Sequence, residues 1–547
     1  MRGLGVGVMI GAVAAGWLVV AGGCQLIAGV KDAVPYPPDG GTGSGGATTC
    51  APGTTIACAY SGPMGTQDVG ICRAGEQLCK ADGTGDGVCS GEVTPKAESC
   101  AATEDENCDG YDCVQWAQLF GDTGEQVATS IAIDPIGNSF VGGYFSGVIP
   151  FGANTIKSTG ATDGFLLKFD PAGKPLWGLS FGDANDPQSI DSIATDSDGN
   201  VLITGFSFSQ INIGNAMLPK GPFVAKFDKE GKHVWSKAIV QTPCAIGSPG
   251  TARVAVKFPS DVIVVGSFCG TLDFGNGPLV SQGSNIANGF IVRLNGKDGS
   301  GKTSDGGWAR TFGDGLNSQH VLDVATTPTG DIVFVGDFKG SLTLGSSYSS
   351  KGGSDIFVAQ LTPVGDPTWT ISLGGADDDS GVRIAVDKFG GPVILGSFAN
   401  SISLGGNVIK STGGTENGLV VKIATDKSIE WYKQIPVGAP FSAAFDGNDN
   451  ILITGFFIGS LDLGAGSLNT TGTNIDLFLA KLTKGGSVVW NKHFEGSTQP
   501  LGILGAVAVN EANEPIMAGG TIIPIDFGTG LITPLSNADG FLVKFSP

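Results

Sequence analysis

An all-β fold of seven repeated units, each a four-stranded antiparallel sheet, is what this 547-residue sequence predicts. Three observations carry it. Apart from Trp17, every tryptophan falls in one series, at 116, 177, 235, 308, 369, 431 and 490, with gaps of 61, 58, 73, 61, 62 and 59 residues. Such self-similarity marks an array of supersecondary units. Between the tryptophans lie short β-branched and aromatic runs bounded by Asp, Asn and Gly, the pattern of strands joined by tight hairpins. Finally, "VQWAQLFG" at 114–121 is a lone Trp strand, whereas the last unit stops at "GFLVKFSP" without one.

Each unit reads in the same order. A run such as "SIAID", "SIATD" or "RIAVD" leads through a turn such as "DPIGN", "DSDGN" or "DGNDN" to a second strand such as "VLITGF", "IVFVGDF" or "ILITGF". A third strand then turns back into the Trp strand, as in "FLLKFDPAGKPLW" and "FVAKFDKEGKHVW". Glycine recurs inside the second strand at 143, 205, 266, 336, 396, 455 and 519. A mid-strand glycine weakens pairing, so its recurrence predicts a bulge or close backbone packing where strands crowd near a common axis. Radial repetition of four-stranded sheets is the β-propeller solution to exposed sheet edges. The orphan strand Val114 to Phe120 is expected to close the ring by supplying the fourth strand of the seventh blade.

Three motifs within this frame invite chemistry. "GKDGSGKT", residues 296–303, fits the P-loop pattern through Gly296, Gly301, Lys302 and Thr303. A phosphate loop must open into a helix, and the "SDGGWARTFGDG" that follows has no helical spacing. From the last strand residue to the Trp is 8 positions in five units but 14 from Leu294 to Trp308, so the segment reads as a lengthened hairpin turn. "GLSFG" at 178–182 matches a nucleophile elbow, yet Ser180 lies on the Trp strand and no helix follows. The three histidines are His233, His320 and His493, the first and last beside Trp235 and Trp490. No catalytic constellation emerges, and no cofactor is expected.

The run "DGFLLKFDPAGKPLWGLSFGD" with "SIATDSDGNVLITGF" and later "DFG" or "LGS" elements resembles the seven-bladed β-propeller repeat (SBBP-type) family of bacterial surface and secreted proteins. The resemblance covers residues 114–547, about four-fifths of the chain. It implies the propeller and no single activity.

Residues 1–23 with Cys24 resemble a bacterial lipoprotein signal. One early cation, Arg2, precedes a long Gly, Ala and Val run leading to the cysteine that would be lipidated. An uncleaved membrane anchor is the alternative. Gln25 after the cysteine implies the outer membrane or cell surface. Residues 24–49 read as a Pro/Gly/Ser-rich tether. In residues 50–113, Cys50, Cys58, Cys72, Cys79, Cys89, Cys100, Cys108 and Cys113 crowd into a small disulfide module whose pairing the sequence leaves open among 105 possibilities. Zinc is disfavoured because the module has no C-x-x-C pair.

"ESCAATEDENCDGYDC" resembles the Cys-Asp-Gly metal-binding motif of Gram-negative surface proteins, which implies calcium on Asp105, Asn107, Asp109 and Asp112. Read on its own, the stretch is an acidic, solvated turn fastened by disulfides. The remaining cysteines, Cys244 and Cys269, are expected to pair within the third repeat.

A net charge of −20, from 31 basic and 51 acidic residues, argues against nucleic acid and against a polybasic lipid patch. The expected protein is therefore a monomeric, lipid-anchored binding or scaffolding propeller without catalysis. Its expected partners are the membrane, through the anchor, and an extracellular protein or glycan ligand. An extracellular polysaccharide hydrolase or lyase, with carboxylates meeting at the central channel, and a calcium-dependent adhesin are the rival expectations.

Overall fold

The structure is a computed structural model. It describes residues 50–547 except 86–87, 97, 99, 101–103, 109–112, 123, 184–185, 215, 240–251, 258–259, 276, 284–285, 302–306, 413–415, 498–504 and 536. Seven four-stranded antiparallel sheets form the blades. The first contains Gln126–Ile133, Ser139–Phe145, Asp163–Phe169 and Pro175–Phe181 in that spatial order. Blades two to six span 188–238, 253–312, 319–373, 379–436 and 438–497 with the same order. The first strands contact one another in a cycle that returns from blade seven to blade one, so they surround a common axis.

Blade seven combines the two ends of the repeat region, as the orphan strand predicted. Val114–Phe120 pairs antiparallel with Asp539–Phe545, with Trp116 opposite Lys544 and Phe120 opposite Gly540. Trp116 thus stands where Trp177, opposite Lys168, stands in blade one. Apolar residues of both faces of each sheet fill the spaces between blades. One such cluster joins Phe120, Phe165 and Phe169 of blades seven and one with Leu542.

The structure adds elements that the repeat reading did not contain. Between the second and third strands of every blade lies a small two-stranded hairpin, such as Val148–Phe151 with Asn154–Lys157. Its apolar side chains, Ile149 and Phe151 among them, are buried against the blade.

The recurring Asp, Lys and Trp prove to be one device. In the first turn of blade one, Asp134 accepts hydrogen bonds from the Ile136 and Asn138 amides through Oδ1. Its Oδ2 lies 3.4 Å from the buried ammonium of Lys168 on the third strand. Lys226–Asp196, Lys422–Asp387, Lys481–Asp446 and Lys544–Glu514 repeat the pair at 2.7, 3.0, 3.1 and 2.6 Å, and Arg293 with Asp261 fills the place in blade three. The "DSDGN" aspartate is therefore saturated by its own turn and a lysine. Breaking one partner of such a pair leaves a buried charge uncompensated, at a cost of about 3–5 kcal/mol.

The same lysine reaches the next blade. Lys168 Nζ and Trp177 Nε1 both donate to Lys229 O in the last turn of blade two, at 2.9 and 3.0 Å. Lys226 and Trp235 do the same to Gly296 O at 2.8 and 3.2 Å. Gly296 is the first residue of the P-loop-like segment, which is a hairpin turn here: Gly299 N donates to Asn295 O and no helix follows among the described residues. Gly299 has φ 67° and lies against the Trp235 ring, where a Cβ would approach a ring carbon to 2.6 Å. Lys302 and Thr303 lie outside the described residues.

Four disulfides staple the N-terminal module: Cys50–Cys79, Cys58–Cys89, Cys72–Cys108 and Cys100–Cys113. The last one is part of the propeller core. Cys100 and Cys113 are buried with Trp490, Phe494 and Phe545, and Ser546 N donates to Cys113 O at 2.8 Å. The third and fourth strands of blade seven come from opposite ends of the repeat region, so no hairpin turn joins them. The Cys100–Cys113 disulfide packs there in the cluster that contains Trp490, whose Nε1 has no hydrogen-bond acceptor. Cys269 is disulfide-bonded, and its expected partner Cys244 lies outside the described residues.

Loss of the closing strand should be severe. A chain beginning at Asp122 would lose the packing of the half-buried Trp116 and the ladder to Gly540–Phe545, and truncation of a Trp costs up to about 3–5 kcal/mol when it is fully buried. In thermal melts it should aggregate or unfold far below a chain beginning at Cys50. Equal melting temperatures would contradict the closure.

Candidate functional site: the axial channel

The inner strands carry an irregularity at one repeated place. In blades one, two, four, five and six the register with the second strand slips by one residue, at Thr129, Asp191, Leu322, Val382 and Phe441. Opposite each slip stands the recurring glycine. A Cβ on Gly143 would stand 1.9 Å from Val127 O, on Gly205 2.1 Å from Ser189 O, and on Gly336 1.8 Å from His320 O. Only glycine lets the bulged carbonyl approach so closely. Such bulges re-aim side chains, and these lie on the inner strands that surround the axis.

What they present is a mixed set of charges. Asp191 stands at the bulge of blade two and Asp323 and Arg383 next to the bulges of blades four and five, while Arg253 opens the regular inner strand of blade three at the position equivalent to Asp323. All four are half-buried, deep in the ring yet reached by channel solvent. No ion pair within 4.0 Å joins any two of them. Arg253 Nη1 donates to Asp191 O of the backbone and Arg383 Nη1 to Val382 O, while Arg253 Nε is buried without an acceptor. Ser189 Oγ donates to Asp191 Oδ1 at 2.8 Å and Ile384 N to Asp323 Oδ2 at 3.0 Å.

Their electrostatics follow from that spacing. Burial raises the pKa of Asp191 and of Asp323, against the opposing pull of both arginines. Burial, with Arg253 nearby, lowers Arg383 to about 10, although Asp323 and Asp191 oppose it. Each charge therefore feels the others without a direct contact to neutralise it.

Nearer the start of the inner strands, His320 Nδ1 lies 2.7 Å from Asp337 Oδ1, and Ser380 Oγ donates to Asp337 Oδ2 at 3.0 Å. Burial disfavours the charged imidazole, but the bond and charge of Asp337 outweigh it and raise the pKa. The serine is bonded to the carboxylate and not to the histidine, so no base is placed on its hydroxyl as nucleophilic catalysis requires. At the positions equivalent to Asp337, blades one, two and six carry Tyr144, Phe206 and Phe456. At the opposite end of the inner strands, a recess of about 330 Å³ lies among blades one, two, three and seven, lined by Asp134, Pro135, Thr195, Asp196, Val256 and Asn510.

Other predicted positions fall elsewhere. Ser180 lies on a strand and not on an elbow. With Phe181, Asn212 and His233 it lines an outer recess of about 490 Å³, and His233 Nε2 there is buried without a partner. Of the four expected calcium ligands, Asp105 and Asn107 are described, and Asp109 and Asp112 lie outside the described residues. The Asn107 amide donates to the Glu98 carboxylate at 3.0 Å. Among the described residues no group of three or more His, Cys, Asp or Glu side chains is placed to hold a metal ion. Cys24 also lies outside the described residues.

No family model matches the chain. A 161-residue stretch is 28% identical to an uncharacterized WD repeat-containing protein of Acanthamoeba polyphaga mimivirus, covering 25% of this chain and 11% of that relative. Among solved structures, virginiamycin B lyase from Staphylococcus aureus aligns over 78% of this chain and 98% of its own at 12% identity, with a TM-score of 0.38. The Dos1 propeller aligns over 79% and 94% at 8% identity, also with a TM-score of 0.38.

Asp379 provides a test of this region. It opens the inner strand of blade five where blades one, two and four carry the buried Gln126, Gln188 and Gln319. Burial, with Asp355 and Asp377 nearby, pushes its pKa up to about 7 despite bonds from the Gly375 and Ala399 amides. The folded state then holds a proton that the unfolded state releases from about pH 4 upward, so this group removes stability as pH rises to about 7. Asp379→Asn should therefore stabilise the protein at pH 8 and lose its advantage below pH 4. The difference should change by at most about 1.4 kcal/mol per pH unit. Parallel denaturation curves for the two proteins across that range would contradict the assignment.

Proposed function

We propose that the chain is an exported, lipid-tethered propeller of the cell envelope that binds an extracellular protein or glycan in its axial channel and performs no chemistry on it. The observation that carries this reading is the set of four channel charges that are hydrogen-bonded but not ion-paired with one another. Charges left so deep in a ring are costly unless something polar meets them, and a ligand entering the channel is that partner.

The four disulfides of the N-terminal module support an oxidising, extracytoplasmic compartment. Among the described residues no helix is long and apolar enough to cross a membrane, and the tether in this reading is a lipidated Cys24 on the outer membrane or cell surface. The SBBP-type repeat, with the Cys-rich module before it, fits a bacterial surface protein.

A second reading, a polysaccharide hydrolase or lyase, draws on Asp191 and Asp323, two carboxylates with raised pKa in one channel. The arginines beside them favour binding. They also hold opposite charge where a proton donor and a base would have to differ in protonation.

Two measurements test the proposal. Cys24→Ser should move the protein out of the membrane fraction and abolish labelling by palmitate, and persistent labelling would contradict the tether. Labelled wild-type protein should be retained by extracellular-matrix or cell-surface preparations, and Asp191→Asn with Arg383→Gln should reduce retention at least about tenfold. Undiminished retention would remove the channel from the account.

A further inference from the structure

The channel is chemically two-sided, and its two sides together specify a ligand. Blades two to five contribute Asp191, Arg253, Asp323 and Arg383, two acceptors and two donors that sum to no net charge. Blade six places Phe441 at the same bulge position as Asp191, with Phe456 beside it at 5.4 Å and 33° between the rings. Blade one, beyond blade seven, has Thr129 at the bulge and Tyr144 at the position equivalent to Phe456. These aromatic side chains are half-buried.

A carboxylate only accepts hydrogen bonds and a guanidinium only donates them. A group that meets both at once must donate and accept through neighbouring atoms. An anionic ligand would satisfy Arg253 and Arg383 but be repelled by Asp191 and Asp323, and a cation would meet the reverse. Paired hydroxyls satisfy both kinds, donating to the aspartates and accepting from the arginines. The buried Arg253 Nε is one donor already waiting for such an acceptor. The apolar C–H face of a sugar ring is the complement of Phe441 and Phe456, as mixed aromatic and polar linings are in ligand pockets generally.

Resting on the channel-binding reading above, we propose that the ligand is a neutral saccharide, held by its hydroxyls between Asp191, Arg253, Asp323 and Arg383 and by a ring face against Phe441. Ser380 and His320, both held by Asp337, stand nearer the start of the inner strands and would meet further sugar units.

The test uses the full chain and four defined sets of probes. These are neutral mono- and oligosaccharides, their uronic-acid counterparts, free amino acids and dipeptides. Binding is followed by calorimetry, and hydrogen exchange maps protection on the wild-type protein. A neutral saccharide should bind at about millimolar affinity or tighter and slow exchange in 188–193, 319–324 and 379–384. Asp191→Asn and Phe441→Ala should each weaken it at least tenfold.

Absence of any neutral saccharide ligand, or binding that neither variant weakens, would overturn the proposal. So would tight binding of an amino acid or dipeptide lost in the same variants, which would leave the channel reading standing and replace the ligand class. Should a variant melt below the wild type, the wild-type exchange map decides, and protection confined to the blade edges would count against the proposal.

Discussion

Everything in this molecule hangs on the antiparallel ladder between Val114–Phe120 and Asp539–Phe545. A ring of seven sheets has no ends only if one blade is made from both ends of the repeat region. The ladder converts two edges with open N–H and C=O groups into one more blade. It also imposes a defect, because that blade has no turn between its third and fourth strands for the preceding tryptophan to grip. The Cys100–Cys113 disulfide is buried there with Trp490 and Phe545. A covalent staple there has a clear physical purpose, since it holds the start of the closing strand beside the residues that end the last one.

Once the ring is closed, blades one, two and three are each tied to the next by the same clasp. A tryptophan indole and a buried lysine or arginine converge on one carbonyl of the neighbouring turn, and the lysine is held in turn by the aspartate of its own blade. The clasp fixes the spacing of blades, and that spacing sets how far apart the inner strands stand. The glycines opposite the bulges set the remaining geometry by letting the inner backbone buckle toward the axis. The channel charges are held apart at positions dictated by this frame, so they face each other without closing into ion pairs.

The tryptophan period, the split seventh blade and the axial crowding at the glycines were all legible in the sequence, because each repeats seven times or is conspicuous by its absence once. The P-loop-like segment was legible as a turn for the same reason, by its place between Leu294 and Trp308. The small hairpins between second and third strands were not, since runs such as "VIPF" and "NTIK" are too short and too broken by polar residues to announce strands. The channel charges were hidden differently. In "SIDSIATD", "RVAVK", "VLDVATT" and "GVRIAVD" the charges Asp191, Arg253, Asp323 and Arg383 sit among the small and apolar residues of an inner strand. Aligned by repeat, that coincidence is the signal. Taken one blade at a time, each charge looks like an ordinary solvent-facing residue, and only ring closure brings the four together. The disulfide pairing lay beyond sequence in principle, because cysteine spacing does not encode which loops fold onto which.

The central claim is that the axial channel is built to hold polar contents between charges that do not neutralise one another. A high-resolution crystal structure of the ligand-free protein measures this most directly. The account predicts ordered water or solute bridging Asp191, Arg253, Asp323 and Arg383, with no carboxylate-to-guanidinium contact inside 4.0 Å among them. A channel in which these side chains have closed into direct, bidentate Asp–Arg pairs would contradict it, for the four charges would then be structural and the channel would have nothing left to offer a ligand.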